Sequence, residues 1–256
     1  MEKFIFSSHS SNLLRSDIGA PAAYARRFTL MFALFVFGVV ADDSESQTKI
    51  VGGSNSPPTP YQISLQVKVR RQAGFFNNIF SNNDEGEETW AHNCGGSIIT
   101  KKHVLTAAHC LDGAKTSRLS VVSGSTNNKK GGKRHLIKRY TIHEEYIELK
   151  QHDIAIMEIE DEFELDETTQ PIEYDTEVIE AGERCILTGW GYTYPIRVGS
   201  TPDNLQRIEL PVISNEECKQ SMSDVSEREI CTFRGALAGA CGGDSGGPLV
   251  RQYHVV

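Results

Sequence analysis

From Ile50 onward the chain is divided into short β-branched or alternating runs, each closed by a turn, and this spacing most narrows what it can fold into. Tyr61–Val69, Ser97–Leu105, Leu119–Ser123, Ile154–Ile159, Cys185–Thr188 and Gln206–Val212 are the strand candidates. One helix start stands among them: Ser214 and Glu217 fit a capping box that leads into Glu216–Met222. Many short strands and few helices predict an all-β sandwich or barrel. At 256 residues the chain can build a sizeable core, so its 6 cysteines do not make it a small disulfide scaffold. A formal net charge of −8 argues against a nucleic-acid partner, because neutralising phosphates takes a basic surplus.

The most apolar run is Phe28–Val40, preceded by Arg26 and Arg27 and followed by a small residue, Ala41. A charged n-region, an apolar h-region and a small cleavage site read as a secretory signal, so residues 1–41 form a leader with its h-region at 28–40. The polar stretch Met1–Tyr24 makes the n-region unusually long. A spanning helix needs about 20 apolar residues, so no stable membrane anchor is expected. Export places the protein outside the cell, in an oxidising compartment where cysteine pairs persist. Residues 42–49, DDSESQTK, link the leader to Ile50.

Three stretches read as surface. Residues 158–183 hold twelve acidic side chains and no Lys or Arg, which suits a solvated connector between two β units. Their spacing is not that of a calcium loop. Residues 129–134, KKGGKR, read as a small basic turn, and residues 68–92 as a long surface loop.

The chemistry centres on Gly243–Pro248, GDSGGP. A serine between glycines suits a tight turn that exposes a nucleophile, and G-x-S-x-G also fits the nucleophile elbow of another fold. There an acid and then a histidine follow the serine. Here the 256 − 245 = 11 residues after Ser245 include His254 but no acid, so the partners are sought upstream. His109 in Thr106–Cys110, TAAHC, and Asp153 at the head of an apolar run are the candidates. A serine hydroxyl is a weak nucleophile that needs a base near neutral pKa, and imidazole supplies one.

In the order Ile50–Gly53, Cys94–Ile99, Leu105–Cys110, Asp153–Ile159, Thr188–Gly191 and Cys241–Val250, these pieces resemble the chymotrypsin–trypsin-like serine peptidases. The resemblance implies two six-stranded antiparallel β-barrels over a peptidase domain at 50–256, with the second barrel incomplete at the C-terminus. It implies a Ser245–His109–Asp153 triad and an oxyanion hole made by the Gly243 and Ser245 amides. It makes residues 42–49 an activation peptide cut after Lys49 by a trypsin-like protease, with the new Ile50 amine pairing with Asp244. It pairs Cys94 with Cys110 and Cys218 with Cys231, and leaves Cys185 and Cys241 over, since Arg251 stands where Cys185 would find a partner.

Two departures bear on function. Relatives continue for several tens of residues past the serine loop, into a wall of the specificity pocket, so the chain as written is expected to be poorly stable and weakly active. Where trypsin-like members carry an Asp at the pocket base, this chain has Gly239, followed by Ala240. The expected specificity is therefore chymotrypsin-like, for apolar or aromatic side chains. Polypeptide substrates and protein inhibitors are the expected partners, and no cofactor or metal is expected. In particular Gly124–Lys129 lacks the acids of a calcium loop. The competing reading is an inactive homologue that serves as a binding or regulatory module.

Overall fold

A computed structural model describes residues 3–5, 50–70, 87–148, 151–193, 201–223, 225–235 and 238–256. The leader's apolar run, the 42–49 segment with Lys49, and 71–86 of the long loop lie outside the described residues.

In chain order the strands are β1 (Lys3–Ile5), β2 (Ser54–Asn55), β3 (Gln62–Arg70), β4 (Glu88–Ile98), β5 (His103–Thr106), β6 (Leu119–Ser123) and β7 (Lys133–Ile142). They continue with β8 (Ala155–Ile159), β9 (Glu173–Tyr174), β10 (Arg184–Gly189), β11 (Gln206–Ile213), β12 (Glu229–Thr232), β13 (Leu249–Arg251) and β14 (His254–Val255). A short helix, α1 (Asn215–Lys219), lies between β11 and β12. The fold is all-β, as the turn-punctuated pattern requires.

Strands β3-β4-β5-β8-β7-β6 close a six-stranded antiparallel barrel. Its core is filled by alternate residues of each strand, including Ile63, Leu65, Ile98, Val104, Leu119 and Met157. The second half is a sheet in the order β1-β12-β11-β10-β13-β14-β9, with β2 on β11, and it does not close. Leu187, Ile208, Leu210, Ile230 and Leu249 form its core, and the side chain of Ile50 is buried among them.

Local differences from the sequence pattern have simple causes. Ser97–Leu105 is two strands and a turn, because Ile99 and Thr100 donate back to the His103 carbonyl and fold β4 onto β5. The basic turn ends at Gly132, and Lys133 and Arg134 already belong to β7. This strand escapes notice because cations occupy most of its outward positions while His135 and Ile137 point inward. Lys68–Arg70 and Glu88–Trp90 of the long loop pair with each other as the ends of β3 and β4. Helix α1 is shorter than expected, but its cap holds: the Glu217 amide donates to Ser214 Oγ at 3.1 Å.

The acidic connector is ion-paired to the sheets. Glu158 bridges Lys138 and Arg139, Asp161 and Glu164 hold Lys133, and Asp175, Glu177 and Glu183 surround Arg251. The Lys138 and Arg139 hydrogen bonds push the Glu158 carboxyl down to about 2.

Candidate active site

Strand register brings His109 to Asp153. Thr106 at the end of β5 pairs with Ala155 at the start of β8. The turn Ala108–Cys110 follows β5 and Asp153 precedes β8, so the two side chains meet although 44 residues separate them. His109 Nδ1 lies 2.6 Å from Asp153 Oδ2, and the His109 backbone amide donates to Asp153 Oδ1 at 2.8 Å. The second bond holds the carboxylate in the orientation that the first one uses. The Cys94–Cys110 disulfide ties the histidine turn to β4. A His152–Ile154 turn, closed by the Ile154 amide on the His152 carbonyl at 2.8 Å, sets the direction of Asp153.

The serine loop is held against the same strands. The Gly95 amide of β4 donates to the Ser245 carbonyl at 2.8 Å. Gly246, at φ +73°, presses on Thr106 and Ala107 so closely that a Cβ would sit 2.3 Å from Thr106 Oγ1. Ser245, His109 and Asp153 all line one cavity of about 310 Å³, walled also by Ile154, Tyr174, Asp175, Ile179 and Val255. Gly243 has φ +98°, a backbone that L side chains rarely adopt, and its carbonyl accepts from His92 Nε2 at 2.9 Å.

His92 is the site residue that the sequence pattern did not reveal. Its Nδ1 lies 2.8 Å from Ser64 Oγ, and its ring packs edge-on against Trp190 at 5.4 Å. With Nε2 donating to a carbonyl, Nδ1 accepts from the serine hydroxyl and the ring is neutral. Burial pushes its pKa down to about 4, against the smaller opposing effect of the Gly243 bond. The only cue in the sequence was its place two residues before Cys94.

Asp244 is fully buried. The Gly191 amide donates to its Oδ1 at 2.7 Å and the Cys241 amide to its Oδ2 at 2.9 Å. Burial nonetheless pushes this carboxyl up to about 6. Ile50 is equally buried, and Ala240 packs against the core that contains it. Gly239 and Ala240 are not among the residues that line the cavity of Ser245. A Cβ added at Gly239 would meet nothing within 4 Å.

Residue type alone does not make such a site. Ser123 Oγ lies 3.2 Å from His135 Nε2, whose Nδ1 lies 2.9 Å from Asp161 Oδ1. Ser123 and His135 are 2% and 1% exposed, so no substrate reaches this second serine–histidine–aspartate set, which satisfies buried polar groups.

The second disulfide is Cys218–Cys231, as the resemblance implied. Cys185 is a buried thiol outside both disulfides, and burial raises its pKa to about 11. Arg251 donates to Asp175 Oδ2 at 2.6 Å and to Glu183 at 3.1 Å, so an ion cluster surrounds this position. Among the described residues no helix is long and apolar enough to cross a membrane.

The chain is similar in sequence to known proteins. The family model described as Trypsin matches residues 50–256. Chymotrypsin-2 of Vespa crabro is 33% identical over 205 residues, covering 78% of this chain and 83% of that protein. Hypodermin-A of Hypoderma lineatum is 33% identical over 227 residues, covering 84% of this chain and 79% of that protein. With a closed antiparallel barrel, the motif order and a family match over most of its length, the chain belongs to the trypsin family of serine peptidases.

Proposed function

We propose that the chain is a serine endopeptidase that cleaves polypeptides through Ser245, His109 and Asp153. The observation that carries this reading is the doubly hydrogen-bonded His109–Asp153 pair opening on the same cavity as Ser245. His109 takes the Ser245 proton as the hydroxyl oxygen attacks the scissile carbonyl carbon. Asp153 holds the ring in the tautomer that leaves Nε2 free to accept that proton, and stabilises the imidazolium. The Gly243 and Ser245 amides receive the developing oxyanion, each donor contributing about 3–4 kcal/mol to the lowering of the barrier. His109 then gives its proton to the leaving amine, and water repeats the sequence on the acyl-enzyme.

Specificity for apolar or aromatic side chains is supported by Gly239, which carries no charge at the position where trypsin-like members carry an Asp. An unpaired lysine ammonium buried there costs several kcal/mol. The protein is made as a secreted zymogen, and the bond after Lys49 is cut in trans by a trypsin-like protease. The new Ile50 amine then pairs with Asp244. The buried position of Ile50 and the fully buried Asp244 carboxyl, raised by burial, support this role.

The test uses the full chain after brief trypsin treatment, with N-terminal sequencing to verify the Ile50 terminus. A phosphonofluoridate should label Ser245 alone, and Ser245→Ala and His109→Ala should each lose several orders of magnitude in turnover, non-additively. Peptides with Phe or Tyr before the scissile bond should outpace those with Lys or Arg. A folded, correctly cut chain that takes no label would instead identify the inactive binding module.

A further inference from the structure

We propose that His143, Glu145 and His152 form a binding site for a divalent transition metal of the zinc class. None of the three lines the cavity of Ser245, although His152 is joined directly to Asp153. One donor atom from each residue lies within 4.8 Å of the other two. His152 Nε2 and Glu145 Oε2 are 3.5 Å apart. Ligands about 2.0–2.1 Å from a tetrahedral zinc ion stand about 3.4 Å from one another, so this edge of the site is already formed.

The two imidazoles are stacked, with ring centroids 4.5 Å apart and planes inclined by 11°. The Glu145 amide donates to His143 Nδ1 at 3.2 Å, a long bond on an exposed turn. Metal binding exchanges that weak bond for a coordinate one, whichever nitrogen of His143 is used.

The frame beneath the rings is rigid. Ile142 at the end of β7 pairs with Ala155 at the start of β8, and the His143 amide donates to the Ile154 carbonyl at 3.1 Å. Each histidine therefore follows or precedes a paired strand end. Among the described residues only His152, Gln252 and Tyr253 are non-glycine residues with positive φ. The last two form the two-residue turn between β13 and β14, which calls for such a backbone. His152, at φ +52°, opens the His152–Ile154 turn that carries Asp153, and its ring rests on His143.

Two imidazoles and one carboxylate form a donor set that suits zinc and its neighbours, whereas calcium takes six to eight oxygens. Three protein ligands leave the fourth tetrahedral position to water. The sequence pattern had suggested no metal, because the residues are spread over a hairpin and only strand register gathers them.

The test titrates the full-length, metal-free protein with Co²⁺, followed by visible absorption, and with Zn²⁺ by calorimetry. One Co²⁺ per chain should give tetrahedral bands without thiolate charge transfer, and Zn²⁺ should displace it while Ca²⁺ does not. His143→Gln and His152→Asn should each lose at least the roughly 10–100-fold in affinity that loss of an outer-shell partner costs. Asn tolerates the positive φ at position 152, so that variant retains the backbone. Glu145→Gln, at a largely exposed side chain, should bind about tenfold more weakly without disturbing the fold. No binding at millimolar Zn²⁺, a thiolate band, or unchanged affinity in the histidine variants overturns the proposal. If those variants fail to fold, unchanged affinity in Glu145→Gln overturns it.

Discussion

His92 Nε2 lies 2.9 Å from the carbonyl oxygen of Gly243, joining the edge of the first barrel to the loop that carries the nucleophile. The bond fixes the peptide that joins Gly243 to Asp244. With Ser64 holding the other ring nitrogen at 2.8 Å, the imidazole has one tautomer and one orientation.

His92→Phe should retain the edge-on contact with Trp190 and lose the grip on Gly243. Turnover should fall about tenfold, the scale of one hydrogen bond, with KM little changed. The variant should also alter the acid limb of stability. The folded pKa of His92 is depressed from 6.5 to about 4, so the unfolded chain binds more protons between those values. Its contribution is present above 6.5 and lost as pH falls through about 4. Urea titrations across that window should show a shallower slope in His92→Phe than in the parent.

The carboxyl of Asp244 has the opposite sign. Burial raises it from 3.8 to about 6, so the folded chain binds more protons and the stability of uncut protein declines as pH rises through that range. The loss approaches about 3 kcal/mol above pH 6, at about 1.4 kcal/mol per unit. Asp244→Asn should remove the decline. Cutting before Ile50 should remove it too, by supplying an ammonium partner, and the same Asn variant should gain no activity on cutting. Thermal melts of cut and uncut protein at pH 4 and pH 7 measure both effects.

Arg251 and Asp175 are each 10% exposed at the side chain and 2.6 Å apart. Arg251→Met should leave Asp175 and Glu183 without their cation and cost about 3 kcal/mol, as breaking a buried pair does. The double variant with Asp175→Asn should recover part of that loss, because the stranded charge is then gone. A denaturant-unfolding double-mutant cycle reads the coupling.

Cys185 should resist thiol reagents in the native protein. It is fully buried and its thiol is raised to about 11, so almost no thiolate exists at pH 8. Mass spectrometry after alkylation with iodoacetamide should find it unmodified in native protein and modified after unfolding.

Much of the fold and site was legible from local signals. Leu119–Ser123, Ala155–Ile159, Arg184–Gly189 and Gln206–Ile213 alternate or concentrate β-branched residues, and each is a strand. Ser214 reads as a cap because its hydroxyl serves an amide only one turn away. Strand β7 was not legible, because Lys133, Arg134, Lys138 and Arg139 hide a period-two pattern whose inward residues are His135 and Ile137. The ion pairing of the acidic connector was not legible either, since Glu158 finds its cations across a strand pair and Asp175 finds Arg251 at a separation of 76 residues.

The sequence by itself determined the family and the order of His109, Asp153 and Ser245, because each rests on residue types in a local motif whose chemistry admits few substitutes, and the family resemblance implied the cysteine pairs. Tertiary structure alone decided which of two serine–histidine–aspartate sets faces a cavity, that His92 grips Gly243, and that His143 and His152 stack. Those depend on strand register and burial. A one-residue slip in β pairing turns a side chain from the core to solvent, and no local stretch of sequence records which partner lies across the sheet.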